Sequence, residues 1–452
     1  MNRDPDFFAH LRAELSGGRL WLDRAIVLGY AVAAGGFVVL LTLGSDWAFA
    51  GFRELYEWQP WLVLFVTPAL TAAIVWATRR WFATAAGSGI PQVKAALDPA
   101  LPAERRHVFV SLWLTLVKLA TVIAGFAAGL SIGREGPAVQ IAAGVMHHAR
   151  RWLSPQTTID ARALLIAGGA AGIAAAFNTP LAGVVFAIEE LSGRIESRAS
   201  GLIITAIVLA GLVAVSVFGD LTYFGVIRVP DLDWRLFWPG LLVAVASGAA
   251  GGLFARLVIA SLTGAPQRLV RWRTQHPIRF AAAGGLGIAV IGLATGGATF
   301  GAGSEAVKQM LQGHADLNPV YPLLKFIATW LTTWCGVPGG IFAPSLSVGA
   351  GIGDAVSALF SRELAPALIA MGMAGFLAAV THAPLTAFII VMEMVDGHSM
   401  VLSLMASAMI ASLVARMISR PLYDTLARHM VEVATGRPPT PPLPAPPSPQ
   451  PQ

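Results

Sequence analysis

Long apolar runs, broken by short polar stretches rich in Gly and Pro, make up most of this chain. The first set covers about 25–43, 61–78, 108–131, 138–149, 160–176, 180–191 and 200–218. A mixed stretch, Gly219 to Trp234, follows, and a second set covers about 238–262, 280–298, 321–335, 340–360, 365–380, 384–395 and 399–418. A straight helical crossing of a bilayer needs about 20 apolar residues, and many of these runs fall short. Short, Gly/Pro-interrupted segments in both halves predict discontinuous helices around a central site. The pattern therefore predicts an all-α polytopic membrane protein with many tilted and broken helices. It divides into an N-terminal arm (1–23), a first transmembrane repeat (24–218), a linker (219–234), a second repeat (235–430) and a Pro-rich, disordered tail (431–452). In the arm, charges alternate with Phe7, Phe8, Leu11, Leu15 and Leu20, which suits either an interfacial helix or a frayed polar tail. The first 24 residues do not read as a signal peptide, because they lack an early apolar core.

The two halves repeat each other. Lys118, Gly129, Gly133, Pro137, Ala143 and Gly144 align with Lys325, Gly336, Gly340, Pro344, Ala350 and Gly351 at a constant offset of 207 residues (137 to 344). Gly168, Ala170, Ala174, Ala175, Pro180, Leu181 and Glu189 align with Gly372, Ala374, Ala378, Ala379, Pro384, Leu385 and Glu393 at an offset of 204 (180 to 384). Matches among Gly and Ala are cheap in such a chain, but Lys with Lys, Glu with Glu and two Pro pairs at fixed offsets mark a duplication. Spacing alone does not tell parallel from inverted repeats.

Composition narrows the class. The chain is 56% hydrophobic and only 12% charged, with a mean hydropathy of +0.67; a soluble domain carries about 25% charged residues. The net charge of +6 sits in short breaks between apolar runs, as in cytoplasmic loops, and does not point to nucleic acid. The single cysteine, Cys335, excludes an intrachain disulfide. No metal site is expected: His147 and His148 sit beside Arg150 and Arg151, and His314, His382 and His398 share no ligand spacing with Cys or acidic residues. The absence of a phosphate-cradling lysine motif implies no nucleotide coupling, and no cofactor is expected.

The chemistry concentrates in three turns of one design: Gly87-Ser88-Gly89-Ile90-Pro91, Gly133-Arg134-Glu135-Gly136-Pro137 and Gly340-Ile341-Phe342-Ala343-Pro344. Gly permits tight backbone conformations, and Pro fits the first turn of a helix, where its missing N–H costs nothing. Each turn reads as a helix start buried in the protein, and a helix start carries free N–H groups and about half a positive charge. Several such starts meeting at mid-membrane make an anion site without a full positive charge. Glu135 has Phe342 as its counterpart in the second repeat, so the turn itself does not require a carboxylate. An ionisable group inside a membrane points to function. Its structural alternative is an ion pair with Arg134. Glu189 is matched by Glu393, which favours a structural role such as capping backbone N–H groups. Glu190 is matched by Met394 and is the unpaired, functional candidate; its idle alternative is a solvated carboxylate near Arg194.

The order and spacing of these turns, with Asn178 to Glu190 (NTPLAGVVFAIEE) and Pro421-Leu422-Tyr423, resemble the CLC family of chloride channels and chloride/proton antiporters, prokaryotic type without C-terminal CBS domains. The resemblance covers about residues 24 to 430. It implies an inverted-repeat CLC architecture and a homodimer with one anion pathway per subunit, packed through about 180–218 and 384–418. It implies that Ser88 and Tyr423 donate hydroxyls to a central anion, with the N–H groups of Ile341 and Phe342. An outer anion site would use N–H groups around Arg134 to Gly136, with Phe342 and Ala343. Glu135 resembles the family's gating glutamate, and Glu190 the internal proton-transfer glutamate of its antiporters. The expected activity is secondary active exchange of chloride for protons in a bacterial inner membrane. The alternative is a passive voltage- or pH-gated chloride channel. A fluoride exporter fits less well, because those relatives usually depart from the serine turn. A remote alternative is an intramembrane serine protease with Ser88 as nucleophile and His382 as base. Lys94, seven residues after Gly87, would favour the ionised form of Glu190 and slow a proton relay if the fold brought it near, and Lys118 and Lys325 need partners or a wet vestibule.

Overall fold

The computed structural model describes residues 18–157, 159–192, 200–219, 224, 234–264, 268–313 and 318–436. The N-terminal arm up to residue 17, most of the linker, Arg194, His314 and the Pro-rich stretch after Gly436 lie outside the described residues. The first half contains α1 (Gly18–Trp58), α2 (Val63–Trp81), α3 (Ile90–Leu97), α4 (Leu112–Ala127), α5 (Glu135–His148), α6 (Ala161–Phe177), α7 (Pro180–Phe186) and α8 (Ser200–Phe218). The second contains α9 (Phe237–Thr263), α10 (Arg268–Gln275), α11 (Pro277–Ala294), α12 (Ser304–Leu311), α13 (Tyr321–Cys335), α14 (Phe342–Phe360), α15 (Ala365–Thr381), α16 (Pro384–Met394), α17 (Val401–Ile418) and α18 (Leu422–Thr435). Nine of the described helical stretches are long and apolar enough to cross a membrane.

Two sequence expectations need correction at element ends. The apolar run at 25–43 is the middle of a 41-residue helix, α1, which continues through Arg53, Glu54 and Glu57. At 1.5 Å per residue it is about 60 Å long, twice the hydrocarbon thickness, so part of it lies outside the apolar layer or is strongly tilted. At the other end, α18 runs on to Thr435, so residues 431–435 belong to a helix and not to the tail. Its carbonyl at Ala434 accepts from Arg105, tying the end of the helix to the loop before α4.

Local chemistry explains the helix ends. The Ser111 hydroxyl accepts from Leu114 N at 3.3 Å to cap α4, and Asp160 accepts from Ala163 N at 2.7 Å to cap α6. Helices α6 and α15 both end in a left-handed residue at equivalent places, Asn178 (φ 58°) and His382 (φ 63°), two residue types that tolerate that conformation. Both helices are almost wholly buried and rich in Ala and Gly. Small residues let backbones touch: a Cβ on Gly168 would lie 2.7 Å from Ala142 O of α5, and one on Gly372 2.2 Å from Gly349 O of α14. The same close contact thus recurs in both halves, α5 on α6 and α14 on α15.

The halves are joined by bonds between equivalent residues. Gly133 N donates to Gly340 O at 2.8 Å, and Gly340 N to Gly133 O at 2.7 Å. The two residues form an antiparallel bridge. Reciprocal bonding of equivalent positions marks a twofold axis between them. The glutamates matched in the repeats obey the same symmetry. Glu189 accepts from Leu385 N (3.1 Å) and Thr386 N (2.6 Å) at the start of α16, and Glu393 accepts from Ala182 N (2.8 Å) at the start of α7. Each carboxylate caps the other half's helix, the structural role expected from the pairing of Glu189 with Glu393.

Candidate functional site: an anion path between helix starts

The three Gly turns meet at the centre. Gly87 N donates to Val337 O and Gly339 N to Gly87 O, each at 3.2 Å, so the first turn is stitched to the third as the second is. Lys118 holds the first turn open from behind: its ammonium donates to Ala85 O (2.8 Å) and Gly87 O (2.6 Å). Gln92 reaches back one turn to accept from Gly89 N at 2.9 Å. With the loop carbonyls turned toward Lys118, the Ser88 hydroxyl is left free to face the opposite way.

The Ser88 hydroxyl lies against Gly136, where an added Cβ would come within 2.2 Å of Oγ. Tyr423, at the start of α18, is 1% exposed. Its phenol lies beside Ser88 and within electrostatic reach of both Glu135 and Glu190. Its ring packs on Phe342 at 6.1 Å between centroids, and Phe186 closes the other side of Phe342 at 6.4 Å. Ser88 Oγ and Tyr423 Oη are both buried without a protein hydrogen-bond partner. A buried unpaired hydroxyl costs about 1–3 kcal/mol, so two in one place fit a shared acceptor from outside the chain. The first-turn N–H groups of α14, which begins at Phe342, have no intrahelical partners and face the same region.

Glu135 lies at the start of α5, 1% exposed. Its carboxylate folds back over Gly133 and takes a long bond, 3.4 Å, from Ala343 N at the start of α14. The carboxylate thus spans the gap between the two helix starts, where an outer anion would be held. Its other oxygen, Oε1, is buried without a partner. Arg134 points away to Asp46, at 2.6 Å, and lines an open cavity of about 700 Å³ with Phe49, Phe52, Arg53 and Lys308. Arg134, next to Glu135 in the chain, borders that cavity.

Glu190 lies in a single π turn, Ala187–Ser192. A π turn inserts one residue into the helical register. Glu189 and Glu190 therefore face different neighbours: Glu189 caps α16, and Glu190 reaches Lys94 Nζ at 2.7 Å. Glu190 is 9% exposed, so the solvated alternative does not hold. His382 Nε2 pairs with Ser419 Oγ at 3.3 Å, and Ser88 has no histidine partner.

Ser88 thus lies on Gly136, Glu135 on Ala343 and Tyr423 on Phe342, next to Ile341, and Glu190 is within electrostatic reach of Tyr423. A sequence model of the family described as "Voltage gated chloride channel" matches residues 69–416. The chain belongs to that family. It is similar to the H(+)/Cl(-) exchange transporter ClcA of Cronobacter sakazakii, 33% identical over 405 residues, with 84% of this chain and 82% of the relative covered. It is also similar to ClcA of Yersinia pestis bv. Antiqua, 30% identical over 447 residues, covering 92% and 89%. Two solved structures share the fold. One is a slow cyanobacterial Cl-/H+ antiporter: TM-score 0.73, 24% identity, 91% of this chain and 98% of that one. The other is a CLC-type fluoride/proton antiporter: TM-score 0.73, 22% identity, 90% and 98%. The protein is therefore a multi-pass membrane protein with the inverted-repeat architecture of the voltage gated chloride channel family.

Two features escaped the sequence reading. The second half has its own copy of the serine turn, Gly301-Ala302-Gly303, before α12. Lys325 holds it as Lys118 holds the first, donating to Gly301 O (2.7 Å) and Thr299 O (2.9 Å). The signal was present, since Lys325 matches Lys118, but Ala302 in place of Ser88 hid it. The other is Asp424, whose partner Lys94 lies 330 positions away in the chain.

Proposed function

We propose that this protein exchanges chloride for protons across a membrane. The observation that carries this reading is the Glu135 carboxylate lying across the gap between two opposed helix starts, with a second buried carboxylate, Glu190, within electrostatic reach of Tyr423. A central chloride takes hydrogen bonds from Ser88, Tyr423 and the first N–H groups of α14, with Ile341 and Phe342 as donors. Such donors replace part of its hydration shell without trapping it as a full charge would. An outer chloride takes the N–H groups near Gly136 and Ala343 once Glu135 is protonated and swings out. The proton on Glu135 leaves to the outside through the cavity beside Arg134, and Glu190 supplies the next one from the inside. Ions move and no covalent bond of a substrate is changed, so the protein is a transporter and not an enzyme.

The test is chloride efflux from proteoliposomes with simultaneous pH recording. Proton uptake against its own gradient, driven by chloride, is expected. Chloride flux with no accompanying proton movement would instead make the protein a passive channel.

Replacing Tyr423 by Ala removes the inner donor. Loss of a hydrogen bond to a charge costs about 1.5–3 kcal/mol, so chloride affinity is expected to fall roughly ten- to a hundredfold. Calorimetric titration with chloride checks this, and an unchanged affinity would place the central anion elsewhere. We also propose a homodimer with one path per subunit, packed through α7, α8, α16 and α17. Leu181, Leu212, Leu385 and Leu413 leave a broad apolar surface there. A single-chain mass in lipid nanodiscs would rule the dimer out.

A further inference from the structure

We propose that Asp424 is the cytoplasmic loading residue of the proton path, passing its proton to Glu190 across the ammonium of Lys94 that the two carboxylates share. The inference rests on the exchange reading above and goes beyond it, because it gives the route by which a buried glutamate meets the aqueous phase.

The geometry is a three-membered chain. Lys94 Nζ lies 2.7 Å from Glu190 Oε1 and 2.6 Å from Asp424 Oδ1. The three side chains grade from buried to wet: that of Glu190 is 7% exposed, Lys94 14% and Asp424 49%. A proton from the inside therefore meets Asp424 first. One ammonium between two carboxylates leaves the cluster with one net negative charge. A single added proton neutralises it, and that proton balances the charge on either carboxylate. Both carboxylates lie within bonding distance of the same Nζ, so the ammonium gives one of its own protons to Glu190 as it takes the incoming proton from Asp424, and it ends charged as it began. The ammonium turns toward whichever carboxylate remains ionised. No covalent change beyond proton transfer is needed.

The surroundings supply few competing charges. Facing Asp424 are Lys94 from α3 and Glu190 from the π turn. His382, at the end of α15, lies within electrostatic reach of both Asp424 and Arg416 of α17. On its own helix, Arg428 is tied to the Asp424 carbonyl at 3.3 Å. Glu189 is committed to capping α16. Tyr423, next in sequence, is turned inward onto Phe342. Asp424 is thus the exposed acid in direct contact with the cluster that holds Glu190.

The experiment is coupled chloride and proton flux in proteoliposomes for the full chain, with internal and external pH set separately. In Asp424→Asn, chloride flux is expected to persist. Proton flux driven from the inside is expected to fall about tenfold, equivalent to one pKa unit, and to depend more steeply on internal pH. Asp424→Glu keeps a carboxyl at the port and is expected to keep proton flux. Lys94→Met removes the bridge and is expected to lose it. Lys94→Met/Asp424→Asn is expected to be no better than either single variant, because both carriers between the solvent and Glu190 are gone. If Asp424 only balanced the charge of Lys94, the double variant would instead recover the flux, since the unbalanced ammonium goes with its acid.

If Asp424→Asn couples like the parent protein, or if the double variant recovers, the port is elsewhere and the exchange reading stands. If the parent protein itself moves no protons, the exchange reading fails first. If Asp424→Asn moves neither ion while Asp424→Glu moves both, the acid is needed for folding, and Lys94→Met decides: proton flux equal to the parent protein's overturns the proposal.

Discussion

Protein carrying Glu135→Gln is expected to move chloride but no protons, and its chloride flux should lose most of its dependence on pH. The argument is charge competition. Glu135 occupies the gap between the start of α5 and the start of α14, with one oxygen at 3.4 Å from Ala343 N. A carboxylate and a chloride at contact, about 4 Å apart, repel by roughly 4 kcal/mol at an effective dielectric of 20, a factor near a thousand. They cannot share the gap, so anion passage waits on neutralising or removing the carboxylate. Gln is neutral and nearly the same shape, and it cannot carry a proton. It therefore frees the outer position at every pH and cuts the proton path at once. A structure of the variant with bromide should show an extra anion between the first turns of α5 and α14. If the variant still pumps protons, or if no anion enters beside residue 135, the proposed mechanism fails at its centre.

How much of this was legible in the sequence depends on range. The helix starts were legible because Gly and Pro act locally, and the turns after Gly87, Gly133 and Gly340 lie where their spacing places them. The duplication was legible too, and the structure gives its meaning. Lys118 and Lys325, paired in the repeat, hold equivalent carbonyls, and Glu189 and Glu393 cap each other's halves. What stayed hidden depends on distant partners or on register. The 41-residue α1 runs past its apolar run, and Phe49, Phe52 and Tyr56 on its later turns pack on Phe126 and Phe300. The π turn at Ala187–Ser192 has no local sequence rule, yet it sets which of two adjacent glutamates faces Lys94. Asp424 reads as an ordinary first-turn acid of α18, and only the fold brings it to Lys94.

Glu190→Val should abolish proton transport while chloride continues to pass, and this separates the two paths. The proposed chloride donors are Ser88, Tyr423 and the start of α14, whereas the Glu190 side chain is engaged by Lys94 at 2.7 Å. Among the described residues, the neighbouring Glu189 is already held by the N–H groups of Leu385 and Thr386 and is not free to take the proton in its place. Removing one partner of a buried ion pair costs about 3–5 kcal/mol of stability, because the other charge is left uncompensated. Here the loss is softened, for Asp424 stays within 2.6 Å of Lys94 and keeps its ammonium paired. The variant should therefore fold, bind chloride as the parent does, and show proton flux reduced by more than a hundredfold. Glu190→Gln should behave alike, because it keeps shape and hydrogen bonding and loses only the titrating group. Coupled transport surviving in both variants would assign the relay to another carboxylate, with Glu189 the first to be replaced. Loss of chloride flux in Glu190→Gln, with the fold intact, would mean instead that the two paths are one as far in as Tyr423.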